Sequence, residues 1–509
     1  MRLRSLLNAL VVKEVFGLQD QLIDSIHYDS RRVKPGGLFV AIQGLQADGH
    51  AYIDDAVQRG ALAVVTEKGW SGPSSVSVVK VDNARRALAA LSAAFYRDPS
   101  HSLFVIGITG TNGKTTTAYL VEAILGAAGF NVGVIGTINY RFGGQTFPSP
   151  VTTPESLDLM QILRQMVDRD ITHVVMEVSS HALDLDRVAF CEFDVGVFTN
   201  LSRDHLDYHG DMETYWQCKK RLCLDCLRPR SKQAKATAVI NWDDSKGKEL
   251  ASEVSAKCLR VGLSQGCEIR AEGIQDSIGG TSGRVKTPGG YFDFASHLVG
   301  RHNVYNILAA TGVATAMGLP VSTMKKGIET LVGVPGRLEP VVNPLGLSVF
   351  VDYAHTPDAL ENVLTALRGL TSGRLITIFG CGGDRDRDKR PMMGVAAGRL
   401  SDLSVLTSDN PRTEVPEAIL SEIMVGTASV RNRRYEPREL AKGFDTPGYV
   451  VEPDRRRAIA LGLGSARHGD TVLVAGKGHE TYQITEGRSI PFDDRIEAKK
   501  ALDRMSGSQ

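Results

Sequence analysis

The sequence predicts an α/β protein of three domains, and three observations predict it. The chain has 509 residues, and at roughly 100–200 residues per domain that length implies about three or four domains. Short, uninterrupted apolar runs recur along it, as expected of strands buried on both faces of a parallel sheet. Helical patterns separate these runs, and strands alternating with helices build parallel sheets. A chain of this size buries several cores without a disulfide or metal staple.

The elements follow in order. The first segment, residues 1–99, holds strands at 37–42 (GLFVAI) and 61–65 (ALAVV), with turn chemistry at Pro35, Gly36 and Gly37. A helix at 84–96 ends at Asp98, Pro99 and Ser100, a breaker cluster. The second segment, 100–336, opens on the unbroken apolar strand 103–108, followed by a glycine-rich turn and a helix at 115–125. Buried strands follow at 172–178, 194–198 and 237–240. The third segment, 337–509, has strands at 347–352, 375–379, 403–407 and 471–475. Several of these end on polar or glycine-rich motifs, where open α/β sheets place ligands. The basic and polar stretch 228–235 reads as a surface loop, and no internal repeat is visible.

Lys and Arg number 59 against 58 Asp and Glu, a net charge of +1. That balance argues against a globally basic nucleic-acid binder and against a disordered acidic chain. No stretch approaches the roughly 18–20 apolar residues of a membrane span. The N-terminal run MRLRSLLNALVVKEVFG is broken by Lys13 and Glu14 and lacks a small-residue cleavage site. It reads as an amphipathic helix and not a signal peptide. Seven cysteines without regular spacing fit a reducing cytoplasm, the expected location. Nothing demands assembly, so a monomer is expected.

The strongest motif is GITGTNGKTTT at 107–117, between a strand and a helix. That is the context of a phosphate-binding loop. Glycines let backbone N–H groups curl around phosphate oxygens, and the helix N-terminus adds a favourable dipole. Lys114 would reach the β- and γ-phosphates of a nucleotide, and Thr115 would offer its hydroxyl to Mg²⁺. The spacing departs from G-x-x-x-x-G-K, because Ile108 stands where the first Gly belongs. The plainer alternative is a glycine turn. In EVSSHAL at 177–183, Glu177 ends a buried strand, a position suited to holding Mg²⁺ through oxygen; alone, it would read as a strand cap. His205 and His209 lie four apart but lack the Glu of a zinc-protease helix, since Leu206 follows the first. Cys223 and Cys226 form a lone CxxC, better read as buried helical thiols than as a zinc site.

These motifs, together with TNLSRDHLDYHG (199–210), LVGRHNVYNILAA (298–310), VDYAHTPDALE (351–361) and YDSRRVKPGGLFVAIQGLQADG (28–49), resemble the Mur ligase family in order and over nearly the whole chain. The family extends the peptide of the peptidoglycan precursor. The resemblance implies a small N-terminal α/β UDP-binding domain, a central P-loop ATPase domain with a parallel sheet, and a C-terminal Rossmann-like domain. It is greatest to members that add the third residue to UDP-N-acetylmuramoyl-L-alanyl-D-glutamate. The implied reaction phosphorylates the D-glutamyl carboxylate with ATP, and an amine then attacks the acyl phosphate.

The resemblance also implies residue roles. Gly110, Thr111, Asn112, Gly113, Lys114, Thr115 and Thr116 would bind ATP, with Asn303, Asn306, Arg337 and Asp352. Thr115, Glu177, His205 and Lys219 would hold Mg²⁺, Lys219 as a carbamate (N6-carboxylysine). Gln217 and Cys218 depart from the small residues usual before that lysine, and Lys220 leaves its register open. Lys114, His205, Lys219 and His355 would be catalytic, and Tyr353 would lie near the reaction centre; local loop bracing is the alternative for Tyr353 and Arg337. The UDP-sugar would meet Ser30, Gln46, Ala47, Thr152, Thr153, Glu155, Ser179 and Arg187, while Leu185 replaces a frequent Gln. The amino acid would meet Arg385, Asp409, Asn410, Arg412, Gly476 and Glu480. The resemblance implies that the DNPR stretch at 409–412 reads the distal end of the substrate, the alternative being an ordinary Asx turn with Pro. meso-2,6-Diaminopimelate ends in an ammonium and a carboxylate, and Arg412 pairs bidentately with the latter. L-Lysine would leave Arg412 facing a cation. A lysine-adding ligase and a folylpolyglutamate-type ligase are the alternatives within the superfamily, and an ATP-gated binding module the alternative outside it.

Overall fold

A computed structural model describes residues 1–11, 14–44, 47–227 and 236–507. Gln46 and the basic stretch 228–235 therefore lie outside the described residues. Three sheets, of five, eleven and seven strands, follow one another along the chain, with a two-stranded hairpin near the end.

The first sheet runs in the order Glu14–Phe16, Ser77–Lys80, Ala61–Thr66, Gly37–Val40, Ser25–His27. It is parallel except at Glu14–Phe16. The helix Ala84–Phe95 packs an Ala/Leu face on it, its N-terminus capped by the Asn83 side chain. The expected N-terminal amphipathic helix is shorter than its sequence suggested. It covers only Leu3–Leu7, because Leu3, Leu6 and Leu7 already complete its buried face. The chain then extends into the edge strand Glu14–Phe16.

The central sheet has a parallel core, in the order Lys257–Gly262, Thr237–Asn241, Val195–Phe198, Phe104–Thr109, His173–Glu177, Val132–Ile135. Cores fill both of its faces, which explains the uninterrupted apolar strands. The sheet is nevertheless mixed and not purely parallel. Hairpins extend it antiparallel through Gly280–Thr287 and Gly290–Ser296 on one side and through Asn139–Phe142 and Gln145–Pro148 on the other. These additions are exposed on one face, as in Gly290–Ser296, where buried and exposed residues alternate.

The third sheet runs in the order Glu339–Pro340, Ser348–Asp352, Thr471–Ala475, Leu375–Phe379, Leu403–Leu406, Gly448–Val451, Arg434–Tyr435, parallel except at its first strand. Helices cover both faces, Pro357–Leu370, Lys389–Leu400 and Pro416–Ala428 on one and Arg455–Gly464 and Asp494–Gly507 on the other. The motifs of both larger sheets sit at the carboxyl ends of parallel strands, the ligand edge of open α/β folds. No described helix is long and apolar enough to cross a membrane.

Candidate active site

The strand Phe104–Thr109 runs into the phosphate loop, and the helix Lys114–Ala127 leaves it. Gly110 and Gly113 have φ of +142° and +87°. A Cβ on Gly110 would sit 1.9 Å from Thr199 Oγ1, and one on Gly113 2.3 Å from Asn306 Oδ1. The loop is clamped by its neighbour: Thr111 N–H donates to Asn200 O and Asn112 N–H to Asn200 Oδ1, both at 2.9 Å. No side chain caps the helix, so its first N–H groups remain available to an anion.

Lys114 Nζ donates to the carbonyls of Gly110 and Thr111 at 2.8 Å. Lys219 Nζ donates to the same Gly110 carbonyl, also at 2.8 Å. Lys219 is 1% exposed, so it is not a plain surface lysine. Lys220 instead turns outward, 3.0 Å from Glu253, so Lys219 and not Lys220 lies beside the phosphate loop. The helix Met212–Arg221, capped by Asp211, sets Tyr215 and Lys219 four residues apart on one face. Lys219 Nζ lies 4.5 Å from the Tyr215 ring centroid, and the Tyr215 hydroxyl meets Thr111 Oγ1 at 3.2 Å. Burial, reinforced by Lys114, pushes the Lys219 pKa well below the ordinary lysine value, against the pull of Asp204. Burial lowers Lys114 as well, opposed by Glu177 and Asp204.

Glu177 is buried at the end of its strand. Its Oε2 accepts from the Thr115 and Thr137 hydroxyls, and its Oε1 from Thr137 N–H, each at 2.9 Å. Arg337, from the start of the third segment, reaches Thr115 Oγ1 at 3.4 Å and stacks 4.8 Å from the Tyr353 ring. His205 has φ +53° and pairs with Asp204 at 3.4 Å. Burial lowers its pKa, and Lys114 and Lys219 lower it further. A hydroxyl, a carboxylate and an imidazole beside a phosphate loop form a donor set that suits Mg²⁺, which keeps several waters and phosphate oxygens as ligands. Among the described residues no group of three or more His, Cys, Asp and Glu is placed to hold a metal ion.

The sugar-side candidates fall into two groups. Thr152 Oγ1 meets Thr137 Oγ1 at 3.1 Å. Thr153 Oγ1 donates to Glu177 O at 2.9 Å and accepts from Ser179 N–H at 3.1 Å. Arg187 Nη1 donates to Thr153 O at 3.2 Å, and its Nε lies 3.6 Å from Glu155 but has no hydrogen-bond partner. Ser30 and Ala47 belong to the first sheet's loops. Ser30 bonds Asp55, and Ala47 O accepts from Gly44 N–H at 2.8 Å. Arg85 joins the two groups, donating to Glu155 Oε2 and to Gln43 O at 2.9 Å each. Sequence reading missed Arg85, which lies in an Ala-rich helix outside any motif.

Asn303 and Asn306 are buried and brace each other, Asn306 Nδ2 donating to Asn303 Oδ1 at 2.8 Å while Asn303 Nδ2 donates to Val299 O at 2.9 Å. They support the phosphate loop from behind. Asp352 is also buried, and its carboxylate accepts from Leu338 and Ala354 N–H at 2.7 and 2.8 Å. His355 Nδ1 faces Tyr353 O at 2.8 Å. Burial and then Lys389 lower the His355 pKa, while Tyr353 O, Asp204 of the central sheet and Asp409 of the third oppose them.

In the third sheet, Asp409, Asn410 and Arg412 follow the strand Leu403–Leu406, and Gly476 and Glu480 follow Thr471–Ala475. The loops interlock: Asn410 Nδ2 donates to Glu480 Oε2 at 2.9 Å, and a Cβ on Gly476 would lie 2.5 Å from Asp409 Oδ2. Arg412 has φ +56° and donates to Gly383 O at 2.6 Å. Arg385 is exposed on the facing loop. Behind them Arg390, wholly buried, ties Glu414 and Glu422 at 2.7 and 2.9 Å. Cys223 is buried and Cys226 half-buried, in a π-helical turn at Leu222–Cys226.

Residues 108–314 match the family pattern described as Mur ligase middle domain, 336–478 the Mur ligase glutamate ligase domain, and 22–96 the Mur ligase family catalytic domain. The chain is 51% identical over 506 residues to the UDP-N-acetylmuramoyl-L-alanyl-D-glutamate--2,6-diaminopimelate ligase of Geobacter metallireducens, covering 99% of each. A solved structure of a ligase of that name aligns with a TM-score of 0.69 at 31% identity, over 99% of this chain and 100% of that one. The MurF ligase of Thermotoga maritima in complex with ADP shares the fold, with a TM-score of 0.63 at 21% identity over 96% of this chain and 100% of that one. The chain therefore belongs to the Mur ligase family of ATP-dependent amide ligases.

Proposed function

We propose that this ligase adds meso-2,6-diaminopimelate to UDP-N-acetylmuramoyl-L-alanyl-D-glutamate, an ATP-driven step of peptidoglycan synthesis in the cytoplasm. The observation that carries the choice of amino acid is the pairing of a cationic rim, Arg412 and Arg385, with the anionic Asp409 and Glu480 between two interlocked loops. Such a pocket complements a zwitterionic end. The name of the Geobacter metallireducens relative, a 2,6-diaminopimelate ligase, supports the same reading. Domain boundaries at 99/100 and 336/337 assign the UDP-sugar to the first domain, ATP to the second and the amino acid to the third.

A carboxylate is a poor electrophile at neutral pH, so the reaction begins by giving it a leaving group. One oxygen of the D-glutamyl carboxylate attacks the γ-phosphorus of ATP, and ADP departs. The neutral amine of diaminopimelate attacks the acyl carbon, and the tetrahedral adduct, after its nitrogen gives up one proton to solvent, expels phosphate as the C–O bond breaks and leaves the amide. Lys114 follows the moving phosphoryl charge, and the N–H groups of the loop and helix start hold the phosphates. Arg187, with one unpartnered N–H, and Arg85 supply donors for the pyrophosphate. Lys219, as a free amine in a dry chamber, attacks CO₂ and loses a proton to become a carbamate, an anion in place of a cation. Thr115, Glu177, His205 and the Lys219 carbamate would hold Mg²⁺. That ion would neutralise phosphate charge. An ADP-release assay tests the proposal: turnover with the UDP-sugar dipeptide requires meso-diaminopimelate, and faster turnover with L-lysine would overturn it.

A further inference from the structure

Lys477 lies in the AGKGHE stretch, bracketed by Gly476 and Gly478 at φ +118° and +53°. The two left-handed turns press this backbone against its neighbours. A Cβ on Gly478 would lie 2.7 Å from Tyr353 Cβ. They also aim the lysine inward, and its side chain is 0% exposed. Its Nζ donates to Glu480 Oε2 at 2.9 Å and to Asn410 Oδ1 at 3.1 Å, with Asp409 Oδ1 at 3.8 Å. Asn410 Nδ2 closes the triangle on Glu480 Oε2, and Asn410 Oδ1 also accepts from Ile484 N–H at 2.9 Å. The Asn410 amide is thus engaged within the protein on both its atoms.

We infer that Lys477 is a positioning residue that sets amino-acid specificity, through Asn410 and through the net charge of the anionic end of the pocket. This rests on the proposed pocket. Asp409 and Glu480 bring two negative charges, and Lys477 reduces them to a net −1, matching a single substrate ammonium. Arg412 and Arg385 then meet the substrate carboxylate at the other end. Without the Lys477 charge the anionic end carries −2, and the whole pocket shifts toward substrates that bring only cations. Specificity is a difference of affinities, and this shift acts on the difference.

The experiment compares kcat/KM for meso-diaminopimelate and L-lysine in the parent, Lys477→Met, Lys477→Gln and Lys477→Arg. Lys477→Met is expected to raise KM for diaminopimelate about a hundredfold and to narrow the preference over lysine at least about tenfold, the size of losing one charged partner. KM for ATP and for the UDP-sugar stays within twofold. Lys477→Arg, which keeps the charge, holds the preference within about threefold. If two unscreened carboxylates prevent Lys477→Met from folding, Lys477→Gln retains a donor in the cavity and must narrow the preference by itself. Equal losses for both amino acids, or an unchanged preference in the neutral variants, would overturn the inference. A parent enzyme that prefers L-lysine overturns the proposed function instead, and the two failures are distinguishable.

Discussion

Lys114 and Lys219 place their ammonium groups on one carbonyl, Gly110 O, each at 2.8 Å. Two buried cations at one acceptor repel, and the arrangement favours the neutral form of the more buried one, Lys219. A neutral amine is what CO₂ requires. Turnover should therefore fall in CO₂-depleted buffer, return with bicarbonate, and need more bicarbonate as pH falls. Lys219→Ala should lose activity by about a hundredfold or more, on the scale of one lost electrostatic group, and a short-chain carboxylic acid should restore part of it; full activity without rescue would remove Lys219 from the mechanism. The stability sign follows from the same shift. The folded state releases this proton below the ordinary value of 10.5, so the unfolded state binds more protons and stability rises with pH through that window. In CO₂-free buffer the melting gap between Lys219→Met and the parent should narrow in the parent's favour as pH climbs toward 10.5. Arg412 is the second decisive residue. Arg412→Lys keeps the charge but loses the bidentate fork, and kcat/KM for diaminopimelate should drop about tenfold while the lysine rate holds, on the scale of ~1.5 kcal/mol for one lost charged hydrogen bond.

At the scale of elements, the phosphate loop depends on glycine. Gly113→Ala combines a φ of +87° with a Cβ 2.3 Å from Asn306 Oδ1. The backbone strain alone costs about 1–3 kcal/mol, so the variant should melt lower and bind ATP more weakly, read by thermal unfolding and nucleotide titration. An unchanged nucleotide affinity would show that the loop relaxes without harm. This loop was legible because its chemistry is contiguous between an apolar strand and a helix. The parallel strands were legible too, since cores on both faces leave no alternation. The antiparallel hairpins were not read, although Gly143 and Gly144, both at positive φ, carry a hairpin signal; their alternation is short and half-exposed. Thr137, Tyr215, Arg85 and Lys477 lay beyond sequence reading for another reason. Each is ordinary locally and gains its role only when the fold brings a distant partner to it, as with Arg85 and Glu155, 70 residues apart.

At the scale of the molecule, contacts around Glu177 link the three domains. Arg337 of the third touches Thr115, which donates to Glu177; Thr137 donates to Glu177 and meets Thr152. Thr153, next in the chain, donates to Glu177 O, and the same segment carries Glu155, which accepts from Arg85 of the first domain. Spatial continuity alone does not establish coupling, but a shared carboxylate gives a physical cause. A ligand that took the Thr115 hydroxyl from Glu177 would leave Thr137 as the remaining hydroxyl donor to that carboxylate. Arg337→Ala should chiefly lower kcat and weaken ATP, whereas Arg85→Ala should chiefly raise KM for the UDP-sugar, each by roughly tenfold or more on the scale of a lost charged hydrogen bond. The double variant decides between independent and joined sites. Distant residues without shared partners add within about 0.3–0.5 kcal/mol. A cycle on kcat/KM that departs from additivity by about 1 kcal/mol, or fivefold, is the expected outcome; strict additivity would mean that Glu177 holds its two sides separately and that the ATP and UDP-sugar sites work as neighbours without communication.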